Sequence, residues 1–147
     1  MTGAEVAAFL TDHVVVYAAD IERHAGWTPA DAKAKAERDM ALMFPDGHVQ
    51  PGHTLLVLEE TGERVGELWF REAERGLWLY WITIVPERRG QGLGRKAMEI
   101  VDNEARRRGF AGIELNVFGG NETARSLYRS LGYVEEAVVM SKSVTAP

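Results

Sequence analysis

Apolar residues near the start of the chain fall at helical intervals. Val6, Phe9, Leu10, Val14 and Tyr17 recur every third or fourth position, which lays one apolar stripe along a helix over residues 5–23 despite the β-branched run Val14, Val15, Val16. Thr28 then precedes Pro29, a capping hydroxyl ahead of a first-turn proline. The Ala-, Lys- and Glu-rich stretch that follows, with Met40, Leu42, Met43 and Phe44, predicts a second helix ending at Pro45, Asp46 and Gly47. Beyond Pro51 and Gly52 the pattern becomes that of strands. Residues 54–59 and 64–71 flank the turn Glu60, Thr61, Gly62, Glu63 and read as an antiparallel hairpin. Residues 77–85, dense in aromatic and β-branched side chains and stopped by Pro86, predict a third and central strand. Leu93, Ala97, Met98, Val101 and Ala105 share one face of a helix over residues 92–108; Arg106, Arg107 and Arg108 suit the negative end of its dipole, and Gly109 closes it. A strand over 113–118, a helix over 121–131 closed by Gly132, and a last strand or bent pair over 133–144 complete the order ααβββαβαβ. An α/β (α+β) fold follows, a mixed sheet with helices on its faces.

A chain of 147 residues suits one domain, residues 1–147, with a helical region at 1–52 and a sheet region at 54–144. Its 46% apolar and 27% charged residues are those of an ordinary globular protein. The net charge of −5 argues against a surface that holds nucleic acid by counterion release, so basic character has to be local. Absence of cysteine removes disulfides, thiolate zinc sites, iron–sulfur clusters and thiol nucleophiles together. His13, His24, His48 and His53 are scattered, and no metal is expected. Without an apolar run of roughly 20 residues or a secretory signal, neither a membrane partner nor export is expected, and the cytoplasm is the expected location.

The stretch from Val85 to Lys96 lies between a proline-terminated strand and a strongly amphipathic helix, and carries Gly90, Gly92 and Gly94 at alternate positions. Such glycines let the backbone approach a ligand closely, while the free N–H groups of a first helical turn point at it with the positive dipole end. Phosphate or pyrophosphate is the natural occupant, and Arg88, Arg89, Arg95 and Lys96 put cations around the turn. A tight connection with solvated basic residues is the plainer reading. The phosphate-loop pattern fails, because Ala97 stands where Ser or Thr is needed. The dinucleotide fingerprint fits at Gly92, Gly94 and Ala97, with Glu114 further on, but it usually opens a run of parallel βα units and here follows a hairpin.

Arg89-Gly90-Gln91-Gly92-Leu93-Gly94 resembles motif A of the GNAT superfamily of acyl-CoA-dependent N-acyltransferases, whose pattern is Arg/Gln-x-x-Gly-x-Gly/Ala. The strand before it, and Leu115 to Asn121 with Ala124 to Tyr133 after it, are similar to the family's next signature. The likeness covers residues 55–142. It implies a GNAT-like, mostly antiparallel mixed sheet, splayed at the strands around an acyl-CoA cleft, with helices on both faces. The family usually begins with a further strand, for which Met1 to Ala4 leave almost no room.

By that resemblance acetyl-CoA is the co-substrate. Its pyrophosphate rests on Arg89, Gly90, Gln91, Gly92, Leu93, Gly94 and Arg95, and its pantetheine arm pairs with the backbone of Ile82, Thr83 and Ile84, where an N–H polarises the thioester carbonyl. Tyr128 is the implied general acid, although on the stripe Ala124, Leu127, Tyr128, Leu131 it reads equally as a core aromatic. Asn121 is an implied contact to the arm and also an ordinary N-cap. Where relatives carry a glutamate base, this chain has Asn116 or Trp78; Glu67 and Glu72 are candidates, and His53 could line the acceptor cleft. The acceptor is a small-molecule or peptide amine held by the helical region, where Trp27, Met40, Met43 and Phe44 are an apolar wall or helix core. A homodimer is implied by analogy. Without cysteine, the acetyl group passes directly to a primary amine. A non-catalytic acyl-CoA-binding or partner-binding module, motivated by Asn116, is the alternative.

Overall fold

The computed structural model describes residues 1–142 and Val144. Its elements run α1 (Gly3–Ala25), α2 (Pro29–Met43), β1 (His53–Glu60), β2 (Glu63–Ala73), β3 (Gly76–Ile84), α3 (Leu93–Arg107), β4 (Ile113–Leu115) and α4 (Glu122–Ser130). The strands form one sheet in the order β1-β2-β3-β4, antiparallel through β3 and parallel between β3 and β4.

Local chemistry sets the boundaries. Thr2 and Glu5 form a reciprocal capping box at the start of α1, and Gly26 ends it in the left-handed region. Thr28 accepts from the Asp31 N–H with Pro29 at the first position of α2. Thr61 and Gly62, at φ 53° and 82°, give the hairpin the two left-handed residues that match the twist of its strands.

Two apolar layers cover the sheet. Leu68, Phe70, Leu77, Met98 and Val101 fill the side under α3 and α4. Phe9, Met40, Phe44, Leu55 and Trp69 fill the side under α1 and α2, so Met40 and Phe44 are core, whereas Trp27 is 45% exposed.

The sequence expectations need two corrections, both after α3: a missing last strand and a shorter β4. Among the described residues no strand forms over 133–142 or at Val144, and Ser143, inside the expected span, lies outside them. Val134 and Val139 are instead 79% and 97% exposed. Strand propensity needs a ladder partner, and β4 stops after Leu115, short of the expected Phe118. Glu135 and Glu136 meanwhile pair with Arg125, Arg129 and Arg75. At the other end, no strand precedes β1 among the described residues; the Met1 ammonium donates to the Leu55 carbonyl on its open edge at 3.0 Å.

Candidate functional site

β3 and β4 pair only at Leu77 with Ile113, Trp78 with Glu114 and Leu79 with Leu115. Their start is held tightly: a Cβ on Gly76 would lie 2.0 Å from the Gly112 carbonyl oxygen, and Leu77 donates to that carbonyl at 3.1 Å. Beyond Leu79 the pairing ends, because β4 stops at Leu115, which leaves a gap in the ladder beside β3.

A bulge lies at the same point. Phe70 faces Leu79 and Trp69 faces Trp81, so Tyr80 is the extra residue. Its insertion reverses the alternation, which puts Tyr80 and Trp81 together on the α1/α2 side. Val85 donates back to Val65 on β2 at 2.9 Å, so by alternation the backbone groups of Ile84 and Ile82 face away from β2, into the gap. The Ile84 carbonyl there accepts from Arg89 Nε at 2.9 Å. That edge has no strand neighbour among the described residues. It can therefore take an extended ligand by sheet-like hydrogen bonds.

The glycine turn closes one end of the gap. Gly90 and Gly92 have φ of 73° and 78°, and a Cβ on either would point into open space. Gly92 is the N-cap of α3, and no side chain caps it, so the N–H groups of the first turn point outward unclaimed. Gly94 serves packing, since its Cβ position lies 3.2 Å from Leu127 Cδ2 on α4. Of the four cations, Arg88 and Lys96 are drawn to Glu60. Arg95 bonds Ser130 Oγ at 2.7 Å and Arg89 bonds the Ile84 carbonyl, so neither is paired with a carboxylate among the described residues.

Tyr128 shares the apolar layer of Ile82 and Ile84 and lies 5.6 Å, ring to ring, from Tyr133. Burial pushes its phenol up to about 12, so it is protonated at neutral pH. The Tyr133 hydroxyl is buried without a hydrogen-bond partner. Asn121 is the N-cap of α4 and accepts from Ala124 N–H at 3.2 Å.

The carboxylates singled out in the sequence are engaged. Glu67, opposite Thr83, pairs with Arg64. Glu72 pairs with Arg108 at 3.0 Å, and Asn116 is exposed. His53 accepts from Trp69 Nε1 through Nδ1 at 2.9 Å, which leaves its Nε2 as the protonated nitrogen of the neutral ring.

Asp20 carried no sequence signal. His13, Tyr17, Asp20 and His24 lie along one stripe of α1. His13 meets Trp81 on β3 at 4.4 Å and His24 meets Phe118 beyond β4 at 6.2 Å. The stripe thus crosses the gap, with Asp20 above it. Burial raises the Asp20 carboxyl, against the opposing pull of His24, Arg23 and Arg89.

Comparison with known proteins places this arrangement. The profile of the acetyltransferase (GNAT) family matches residues 18–133. The N-acetyltransferase YycN of Bacillus subtilis (strain 168), itself uncharacterised, is 30% identical over 98% of this chain and 96% of its own. The crystal structure of YycN superimposes with a TM-score of 0.88 at 32% identity, over 99% of this chain and 96% of that one. The ribosomal-protein-S18-alanine N-acetyltransferase of Escherichia coli gives 0.57 at 26% identity, over 86% and 74%. AAC(6')-Iy in complex with the bisubstrate analogue CoA-S-monomethyl-acetylneamine gives 0.56 at 14% identity, over 92% and 93%, a likeness of fold.

Proposed function

The chain belongs to the acetyltransferase (GNAT) family, and on that footing we propose that it transfers an acetyl group from acetyl-CoA directly to a primary amine. One observation carries the reading: the open edge of β3 from Tyr80 to Ile84 runs toward the uncapped first turn of α3. A thioester with a long amide arm and a diphosphate needs those two features side by side. The left-handed, unobstructed Gly90 and Gly92 fit the diphosphate, and AAC(6')-Iy holding a CoA analogue on the same fold supports the fit.

The residues then divide the work. The N–H groups of the α3 first turn, with Arg89 and Arg95, take the diphosphate. Ile82 and Ile84 pair with the arm, and a backbone N–H of that edge stabilises the oxyanion formed when the amine nitrogen attacks the thioester carbonyl. Asp20 accepts the amine's proton by way of water. As the carbon–sulfur bond breaks, Tyr128 protonates the departing thiolate.

A thiol-release assay with acetyl-CoA over a panel of amines tests this. The protein contains no cysteine, so released CoA is the sole thiol measured. Amine-dependent release is expected. Acetyl-CoA binding with no release for any amine would favour the non-catalytic module instead.

A further inference from the structure

Four arginines of the described chain are half-buried: Arg71, Arg88, Arg108 and Arg125. Arg88 pairs with Glu60, Arg108 with Glu72 and Glu104, and Arg125 with Glu122 and Glu135. Arg71 pairs with no carboxylate among the described residues, and its Nε is buried without a hydrogen-bond partner. Its guanidinium lies instead 5.8 Å from the centre of the Tyr80 ring. That ring is stacked on Trp69 at 4.5 Å and on His53 at 5.9 Å. A partly desolvated guanidinium with an orphaned donor costs free energy unless an anion completes it, and the stack below supplies no anion. Arg71 also opposes protonation of His53, whose pKa burial and this charge both lower, so the neighbourhood stays singly cationic.

The location matters as much as the charge. Tyr80 is the bulge residue, two positions before Ile82 on the edge where the thioester lies in the reading above, and it faces the α1/α2 side. We infer that Arg71 anchors the carboxylate of the acceptor, so that the substrate of this enzyme is an amine that also carries a carboxylate, an amino acid or a peptide, with its apolar part on Tyr80 and Trp78. Two N–H···O bonds from the terminal guanidinium nitrogens to a carboxylate supply the counter-charge Arg71 lacks and fix the amine's orientation toward β3. This rests on the acetyl transfer proposed above.

The test compares L-phenylalanine and L-lysine, each as free acid and as amide, with spermidine as a carboxylate-free amine, in the thiol-release assay and by thermal shift of the CoA-bound protein. The free acids are expected to exceed their amides by about tenfold or more in kcat/KM, or in stabilising the CoA complex, as a charge-assisted pair implies. In Arg71→Gln that preference vanishes while the KM for acetyl-CoA is unchanged, and Arg71→Lys keeps part of it. Acids no better than amides in either measurement, or spermidine preferred to every acid, overturns the assignment while leaving acetyl transfer standing. Failure of acetyl-CoA itself to bind overturns the underlying reading and this one with it.

Discussion

Arg89 Nε donates to the Ile84 carbonyl at 2.9 Å, tying the glycine turn to the last residue of β3. The bond brings an exposed guanidinium to the point where the open strand edge meets the free N–H groups of α3. Replacing Arg89 with Ala removes a cation beside the diphosphate and the tie together. Calorimetry should show acetyl-CoA binding about tenfold weaker, the scale of one charge-assisted hydrogen bond, with little change in Tm because Arg89 is exposed.

Tyr128 is 8% exposed, and burial keeps its phenol protonated across the neutral range. Tyr128→Phe deletes a hydroxyl that donates to no side chain among the described residues, so folding should be nearly unaffected. If the phenol returns the proton to the thiolate, kcat falls by about 100-fold while the Kd for acetyl-CoA stays as it was. Because its pKa is about 12, the alkaline limb of the wild-type rate profile does not come from Tyr128.

Asp20 should govern the acid limb. Burial lifts its carboxyl above the ordinary aspartate range, so kcat/KM should fall with decreasing pH at higher values than an exposed aspartate gives. Asp20→Asn should lower kcat roughly 10- to 100-fold and flatten that limb, measured as a pH–rate profile with saturating acetyl-CoA.

His13 sets a pH dependence of stability separate from activity. It is 5% exposed, stacked on Phe9 at 4.8 Å, and burial holds its pKa at about 4 against the ordinary 6.5 of histidine. The unfolded chain binds the proton first, so the native state loses stability as pH falls from 6.5 toward 4. The full window is worth about 3 kcal/mol. His13→Phe should be less sensitive to acid than wild type across that window in urea unfolding, and identical slopes would exclude the assignment.

Patterns that depend on near neighbours were readable from residues alone. The stripe from Leu93 to Ala105, the Thr61-Gly62 turn and the Thr28-Pro29 cap each formed where their local chemistry implied. Features decided by distant partners were not. The segment after Tyr133 has strand-like composition, but β4 ends at Leu115, so no ladder receives it among the described residues. The bulge at Tyr80 arises from pairing with β2 and leaves no mark in the alternation of a strand rich in aromatics on both sides. Arg88 and Lys96 looked like phosphate ligands until the hairpin brought Glu60 to them. Asp20 becomes notable only once α1 is laid across the gap between β3 and β4.

The central claim is that the backbone at the start of α3 holds a diphosphate. Gly92→Asp places a negative charge at that helix terminus; its Cβ meets no protein atom within 4 Å, and the cost of a side chain at φ 78° falls on folding. Isothermal titration of both proteins with acetyl-CoA is the direct measurement. Binding by the wild type that falls at least a hundredfold in the folded variant is predicted; equal affinity in the two, or no heat from the wild type, would contradict it.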